Sequence, residues 1–278
     1  MKNFLIVCLA FLFSGEAHSQ TAVPPPGGDR TMTDPVPYAF TREADLTWSK
    51  RVWRTIYLDE KINLPLKYPL SQQSIERRNL VDVLMDAIRE GTLVAFSYVD
   101  DEFTMPISYK EILSRGGARV DTVEMPGTEP PYDLVPVAIQ KTFSRDKVIG
   151  YRLKEDWFFD SRRSVMDVRI IGISPVIYAF DESGNIREGN MEMSLFWVYY
   201  PDARRVLANQ QVFVRANNIQ HLTFDDVFQK RLFESIIYKE SNVYDRRISD
   251  YQTGLNAVLE SERIRNEIAD FEHDLWEF

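Results

Sequence analysis

The chain has 278 residues, of which 44% are hydrophobic and 27% charged, and its 42 acidic and 33 basic side chains give a formal net charge of −9 at pH 7. This acidic balance disfavours nucleic acid as a partner, because a phosphate backbone repels a negatively charged surface. The length suffices for one large domain or two small ones.

Residues 1–19 have the pattern of a cleavable signal peptide. Lys2 precedes the apolar run Phe4–Phe13, and the small-residue site Ala17-His18-Ser19 stands before Gln20. An apolar run this short cannot cross a bilayer of about 30 Å as a helix. We therefore expect residues 1–19 to be removed and the rest of the chain to be exported.

The single cysteine, Cys8, lies inside the predicted signal peptide. The exported protein is therefore expected to have no disulfide, no cysteine nucleophile and no thiolate ligand for a metal. Cleavage in front of Cys8, as in a lipoprotein, is disfavoured because Val7 is not a small residue and almost no apolar run would remain.

Residues 20–43 are predicted to form an extended leader. Five prolines and two glycines fall within residues 21–40, and no apolar period is present there. Such a composition is typical of a semi-rigid spacer, or of an arm that becomes ordered on a neighbouring molecule.

The first predicted helix follows the leader. Aromatic and apolar residues recur at spacings of four and five, and Asn63-Leu64-Pro65 provides a stop. The stripe consists of Trp48, Val52, Trp53, Ile56 and Tyr57. A second helix is predicted between the N-cap Ser74 and Gly91.

Shorter elements are predicted next. Leu93–Tyr98 has the pattern of a buried strand, and Ser108 has capping-box spacing ahead of a small helix that Gly116-Gly117 closes. Residues 118–136 contain four prolines and are predicted to be a loop.

The middle of the chain favours strands, because it is rich in Val, Ile, Tyr, Phe and Trp. The predicted strands are Val148–Trp157, Val165–Tyr178, Glu192–Tyr200 and Gln211–Ala216. Asp181–Asn185 is predicted to be a turn between two of them.

Helical patterns return at the C-terminal end. Thr223 is a suitable N-cap for a helix in which apolar residues recur every four positions. These are Phe224, Phe228, Leu232 and Ile236. A long last helix is predicted from about Tyr251 to Phe278.

The element order predicts an α+β fold with a central, mostly antiparallel sheet flanked by helices from both ends of the chain. One domain is predicted over residues 44–278. It is divided into a helical part at 44–117, a sheet part at 137–222 and a second helical part at 223–278.

Residues 50–61 and 230–241 resemble each other at a constant offset of 180 positions, with four identities that include Lys50/Lys230 and Ile56/Ile236. Two amphipathic helices drawn from the same residue types would resemble each other in this way. An internal duplication, in which each copy packs against its twin, is the alternative.

No catalytic, cofactor-binding or metal-binding residue is predicted. His221 and His273 lack the spacing of a zinc site, and no nucleophile elbow or phosphate-binding glycine motif is present. The carboxylates at Asp100–Glu102 and Glu155-Asp156 are compatible with an exported hydrolase that uses paired acids. Solvated turns are the simpler interpretation of these residues.

Aromatic and apolar stripes are the more prominent signal, and Tyr and Trp are enriched at protein interfaces. We predict that a partner interface uses three sets of helix-face residues. They are Trp48, Trp53 and Tyr57; Phe228, Phe233 and Ile237; and Ile264, Ile268 and Phe271. A glycan-binding module with aromatic platforms is an alternative use of such residues.

Several long segments resemble the GldN/PorN family of gliding-motility and type IX secretion proteins. They are SKRVWRTIYLDEKINLPLKYP (49–69), SVMDVRIIGISPV (164–176), LFWVYYPDARRVLANQQVF (195–213), TFDDVFQKRLFESIIYKESNVYDRRISDY (223–251) and LESERIRNEIADFEHDLWEF (259–278). The resemblance covers most of the exported chain.

The resemblance implies a non-enzymatic periplasmic protein without a cofactor. It also implies that the protein forms a ring with an outer-membrane lipoprotein of the GldK/PorK type, which would hold it at the outer membrane. A contact with a stalk protein of the GldM/PorM type is implied as well.

Overall fold

A mostly antiparallel sheet of seven strands forms the centre of the residues that the structure describes. The structure is a computed structural model that describes residues 34–70, 78–99, 101–126, 134–181, 185–212 and 222–274. Its strands are β1 (Leu46–Tyr57), β2 (Ala95–Phe96), β3 (Arg119–Pro126), β4 (Leu134–Lys141), β5 (Val148–Asp160), β6 (Val165–Tyr178), β7 (Glu192–Ser194), β8 (Trp197–Tyr199) and β9 (Ile236–Glu240). The order across the sheet is β2-β8-β6-β5-β1-β9, with β7 paired to β6, and β3 and β4 form a separate ribbon.

Helices at several points along the chain complete the fold. They are α1 (Leu64–Lys67), α2 (Leu80–Arg89), α3 (Tyr109–Arg115), α4 (Tyr200–Ala208), α5 (Phe224–Gln229) and α6 (Leu255–Asp274). The predicted α+β class with a central, mostly antiparallel sheet is therefore confirmed. The predicted signal peptide and most of the leader lie outside the described residues, and the predicted domain boundaries stay predictions.

The main core lies on one face of the sheet. The strand register places Ile56 opposite Tyr151, and Leu153 opposite Ile173. These side chains cluster with buried residues of α2, α4 and α5. The amphipathic face of α2 supplies much of this contact, because almost every apolar residue of the helix is buried.

A second, smaller core lies on the same face of β1, nearer to the start of the strand. Val52 is four residues from Ile56, so both side chains point to the same side of the sheet. Val52 packs with buried isoleucines of β9, of the turn before α6 and of α6 itself. They are Ile237, Ile248, Ile264 and Ile268.

An ion cluster separates the two cores. Arg54 lies between Val52 and Ile56 on that face of β1, and Glu155 is opposite Val52 on β5. Glu155 is fully buried and accepts hydrogen bonds from Arg231 (2.9 and 3.3 Å) and from the indole of Trp157 (3.0 Å). Arg54 completes the cluster with an ion pair of 3.2 Å to Glu155.

The first predicted helix is wrong, because residues 46–57 form the strand β1. A spacing of four is compatible with a strand as well as with a helix, since strand side chains alternate with a period of two. Trp48, Val52 and Ile56 therefore share one face, and Trp53 and Tyr57 share the other. Five consecutive residues from Val52 are buried, as in a strand covered on both faces.

The helix predicted after Thr223 is confirmed only over its first part. Thr223 and Asp226 form the capping box, and α5 ends at Gln229. Arg231 then adopts a left-handed backbone conformation with φ of 52°, which breaks the helical path. Ile236 consequently begins β9 and does not continue the helix.

The two similar segments of the sequence contact each other as strands. Val52 pairs with Glu240, and Thr55 pairs with Ile236, in antiparallel register. Most residues that correspond at the offset of 180 differ in conformation, as Val52 in β1 differs from Leu232 in the turn before β9, and strand is shared by Ile56 and Ile236. The two segments are thus neighbours without being equivalent elements.

The predicted loop at 118–136 is also wrong over much of its length, because β3 and β4 pair along eight positions. Both strands of a two-stranded ribbon are edges, where proline is tolerated.

The strand predicted at 192–200 is divided into β7 and β8, and α4 begins at Tyr200 with Pro201 in its first turn. Ser74 lies outside the described residues, and Asn79 caps α2 instead.

We predict that Glu155→Gln lowers the free energy of unfolding by about 3–5 kcal/mol, because the buried guanidinium group of Arg54 and the half-buried one of Arg231 would lose their carboxylate. Urea denaturation of the chain without residues 1–19 measures this difference. Glu188→Gln at an exposed position is the matched control and should change the free energy by less than about 0.5 kcal/mol. A loss of under about 1 kcal/mol for Glu155→Gln would contradict the role of the cluster.

Candidate partner-binding surface

Six of the nine predicted interface residues are buried inside the described domain. They are Trp53, Phe228, Phe233, Ile237, Ile264 and Ile268. Trp48, Tyr57 and Phe271 are half-buried. The predicted partner interface therefore has only these last three residues at the surface, and Trp48 and Phe271 lie together.

Trp48 and Phe271 stack with ring centroids 4.6 Å apart and an angle of 20° between their planes. The contact joins β1 to the C-terminal end of α6. An open groove of about 740 Å³ runs beside the two rings along α6 towards Leu259. Aromatic rings at the edge of a groove provide a large apolar contact area for a second protein.

The outer edge of α6 is apolar over its first two turns. Leu255, Val258 and Leu259 are 73%, 47% and 56% exposed and lie at helical spacing. The inner stripe of the helix is separate, because Ile264 and Ile268 fill the small core. We call Trp48, Leu255, Val258, Leu259 and Phe271 the α6 surface.

Charged side chains around the α6 surface form a network. Arg263 bonds to Glu260 (2.7 and 3.0 Å) and Glu267 (3.1 Å), and Lys50 pairs with Glu240 and Glu267. The hydrogen bonds that Arg263 donates to Glu260 are the main cause of the raised pKa of Arg263. Arg263 is the basic residue among the groove's lining, against Glu262, Glu267, Asp270 and Asp274. The groove is therefore acidic and suits a partner with basic residues.

The opposite face of the sheet carries a polar and aromatic cluster that the sequence analysis missed. Lys154, Trp53 and Lys239 lie side by side on β5, β1 and β9. The ammonium groups of Lys154 and Lys239 are 5.7 and 4.3 Å from the Trp53 ring. Alternation of Arg152, Lys154 and Asp156 along β5 was the available sequence signal of a polar face.

A loop between β2 and α3 covers this cluster. Buried Lys154 donates hydrogen bonds to the carbonyl oxygen of Asp101 (2.8 Å) and to Glu102 (2.9 Å). The indole of Trp53 donates to the Asp101 carboxylate. Phe103 lies against Gly172, where a Cβ atom would come within 2.5 Å of the Phe103 ring.

Four of the five carboxylates that were compatible with a hydrolase are engaged in ion pairs, and Asp100 lies outside the described residues. Asp101 and Glu102 bind Lys154, and Asp156 accepts a bidentate pair from Arg51 at 2.5 and 2.8 Å. Glu155 belongs to the buried ion cluster. The described geometry thus gives these four acids structural partners.

Among the described residues, no helix combines the length and apolar character needed to span a membrane. No group of three or more His, Cys, Asp or Glu side chains among these residues is placed to hold a metal ion. His221 lies outside the described residues, and His273 is exposed in the last turn of α6.

Comparison with known proteins identifies a family for the chain. Residues 41–277 match the model of the family described as "Gliding motility associated protein GldN". A search of curated proteins found no match to the chain. The matched range contains every strand and helix described above.

Burial is the main cause of a pKa of about 12 for both Tyr57 and Tyr238. Glu192 raises the pKa of Tyr57 further, and Arg152 and Arg247 oppose the effect of burial on Tyr238. Since an ordinary tyrosine has a pKa of about 10, the folded state favours the neutral phenols. Their contribution to stability is complete below pH 10 and is lost as the pH rises towards 12.

We therefore predict that the free energy of unfolding falls between about pH 10 and pH 12, and falls less in a Tyr57→Phe/Tyr238→Phe double variant. Urea denaturation at several pH values measures both slopes. The same decrease in the two proteins would show that these phenols do not cause it.

Proposed function

The chain belongs to the GldN family of gliding motility associated proteins, and on this premise we propose that it is a non-enzymatic structural subunit of the type IX secretion and gliding apparatus. The match over residues 41–277 is the observation that carries the proposal. The exported character expected from residues 1–19 supports a location in the periplasm.

We propose that the subunit forms a ring with an outer-membrane lipoprotein of the GldK/PorK type and is held at the outer membrane through that partner. A stalk protein of the GldM/PorM type is the proposed second partner. A ring requires two different surfaces on each copy, so that one copy meets the next in a repeated way. A structural subunit therefore needs exposed contact surfaces more than it needs a pocket.

The α6 surface is the best candidate for the contact with the lipoprotein. It combines two stacked aromatic rings, three exposed aliphatic side chains and an acidic groove. Exposed aromatic and aliphatic side chains bordered by charged residues are typical of protein interfaces. The α6 helix is also anchored firmly by Ile264 and Ile268, so it can present this surface without rearranging.

We predict that Phe271→Asp weakens binding to the purified lipoprotein at least tenfold, because a carboxylate would replace one of the two stacked rings of the α6 surface. Phe271→Leu keeps the apolar contact and should weaken binding less. Size-exclusion chromatography and titration calorimetry of the two proteins measure the difference.

Val99→Asp is the control for an added charge, since Val99 is exposed in a different part of the fold. Circular dichroism would show that each variant is folded. Unchanged co-elution of Phe271→Asp with the lipoprotein would exclude the α6 surface as the contact.

A further inference from the structure

Residues 34–41, which we call the arm, form no helix or strand and lie against side chains from three distant elements. The Arg204 guanidinium of α4 donates a hydrogen bond of 2.6 Å to the carbonyl oxygen of Val36. Arg169 of β6 donates one of 2.8 Å to the carbonyl oxygen of Ala39. The Gln229 amide of α5 donates one of 3.1 Å to the Tyr38 hydroxyl. We call Arg169, Arg204 and Gln229 the arm site.

The arm site is held in place by the domain itself. Arg204 is only 5% exposed, and it donates two hydrogen bonds of 3.0 and 3.1 Å to the carboxylate of Asp225. Asp225 also accepts a hydrogen bond of 3.0 Å from the buried Tyr200 hydroxyl. The guanidinium therefore keeps its position whether or not the arm is bound, which lowers the entropic cost of binding.

The site recognises an extended backbone together with one aromatic side chain. Two of its four hydrogen bonds are accepted by main-chain carbonyl groups of the arm, one by the Tyr38 hydroxyl and one, of 3.4 Å from Arg169, by the Thr41 hydroxyl. The Tyr38 ring lies between the guanidinium groups of Arg204 and Arg169, 4.3 and 5.5 Å from their central carbons. Pro35 and Pro37 favour the extended conformation that this recognition requires.

The arm is attached to the domain through a short exposed connection. The turn Glu43–Asp45 contains no buried residue, and the hydrogen bonds between Arg42 and Asp45 are exposed. Rearrangement of this connection would break few buried contacts. Val36 and Phe40 are 79% and 83% exposed, so the apolar side chains of the arm point away from the arm site.

From this geometry we infer that the arm site is a receptor for residues 34–41 of a second copy of the chain, and that neighbouring copies exchange their arms. The arm makes the same contacts with the arm site of its own copy and with that of a neighbouring copy, so exchange changes the free energy of these contacts little. Exchange also ties each copy to the next through a tether, which raises the effective concentration of every other contact between them. The inference does not depend on the proposed function, because any assembly of copies would allow it.

The test uses the full exported chain with Tyr38 replaced by the photo-cross-linker p-benzoylphenylalanine, which places a reactive ring at the arm site. Copies labelled with ¹⁵N and unlabelled copies are mixed at several concentrations, irradiated and digested. Cross-linked peptides that join an arm of one isotope to an arm site of the other identify exchange. Mass spectrometry separates these peptides from those formed within one copy.

We expect mixed-isotope cross-links that increase with concentration, and a roughly tenfold decrease when Arg169→Ala removes the charged donor to Ala39. Arg187→Ala, at an exposed position elsewhere, is the matched control and should leave their yield unchanged. Cross-links confined to single copies at every concentration would overturn the inference. Equal yields for Arg169→Ala and Arg187→Ala would overturn it as well. Binding to the lipoprotein is not involved, so failure here is distinct from failure of the proposed function.

Discussion

Glu155 accepts hydrogen bonds from Arg231 and Trp157 and pairs with Arg54 at a point where no water reaches its side chain. Removing a carboxylate from water is costly, and only several donors in good geometry can offset that cost. The hydrogen-bond donors come from β5 and from the turn between α5 and β9, and Arg54 of β1 adds its charge through the ion pair. The cluster therefore specifies where β9 joins the sheet. Since α6 packs on β9, the same cluster also determines where α6 lies.

The two faces of β1 make different contacts. One face links the main core, the ion cluster and the small core under α6, so the helix is fixed to the sheet by isoleucines and by the ion cluster beside them. The other face carries Trp53 between two lysines, and Lys154 attaches the covering loop to it. The surfaces that we propose for assembly, the arm and the α6 surface, lie near opposite ends of the sequence. The sheet between them positions both.

The sequence pattern predicted an element correctly where only one type of secondary structure fits the residues, and it failed where both a strand and a helix fit. Val165–Tyr178 was predicted with its observed bounds, because a long run of β-branched residues has no helical alternative. The stripe from Trp48 to Tyr57 fits two periods, and pairing with β5 and β9 selected the strand. The prediction of the interface residues was limited in a similar way, because the same sequence pattern fits two environments. Aromatic and aliphatic spacing identified Trp53, Phe228 and Ile264 as contact residues, but it does not tell a core contact from a partner contact.

The sequence by itself determined the α+β class, the caps at Ser108 and Thr223, the long last helix and the resemblance to a family. These features depend on local chemistry, on composition or on long continuous motifs, all of which are present in the chain before it folds. Only the tertiary structure decided that the two similar segments are paired strands, that Glu155 and Arg231 meet across 76 positions, and that the arm lies against Arg169 and Arg204. Such contacts depend on which distant residues become neighbours in the folded sheet, and one-dimensional periodicity contains no information about that choice.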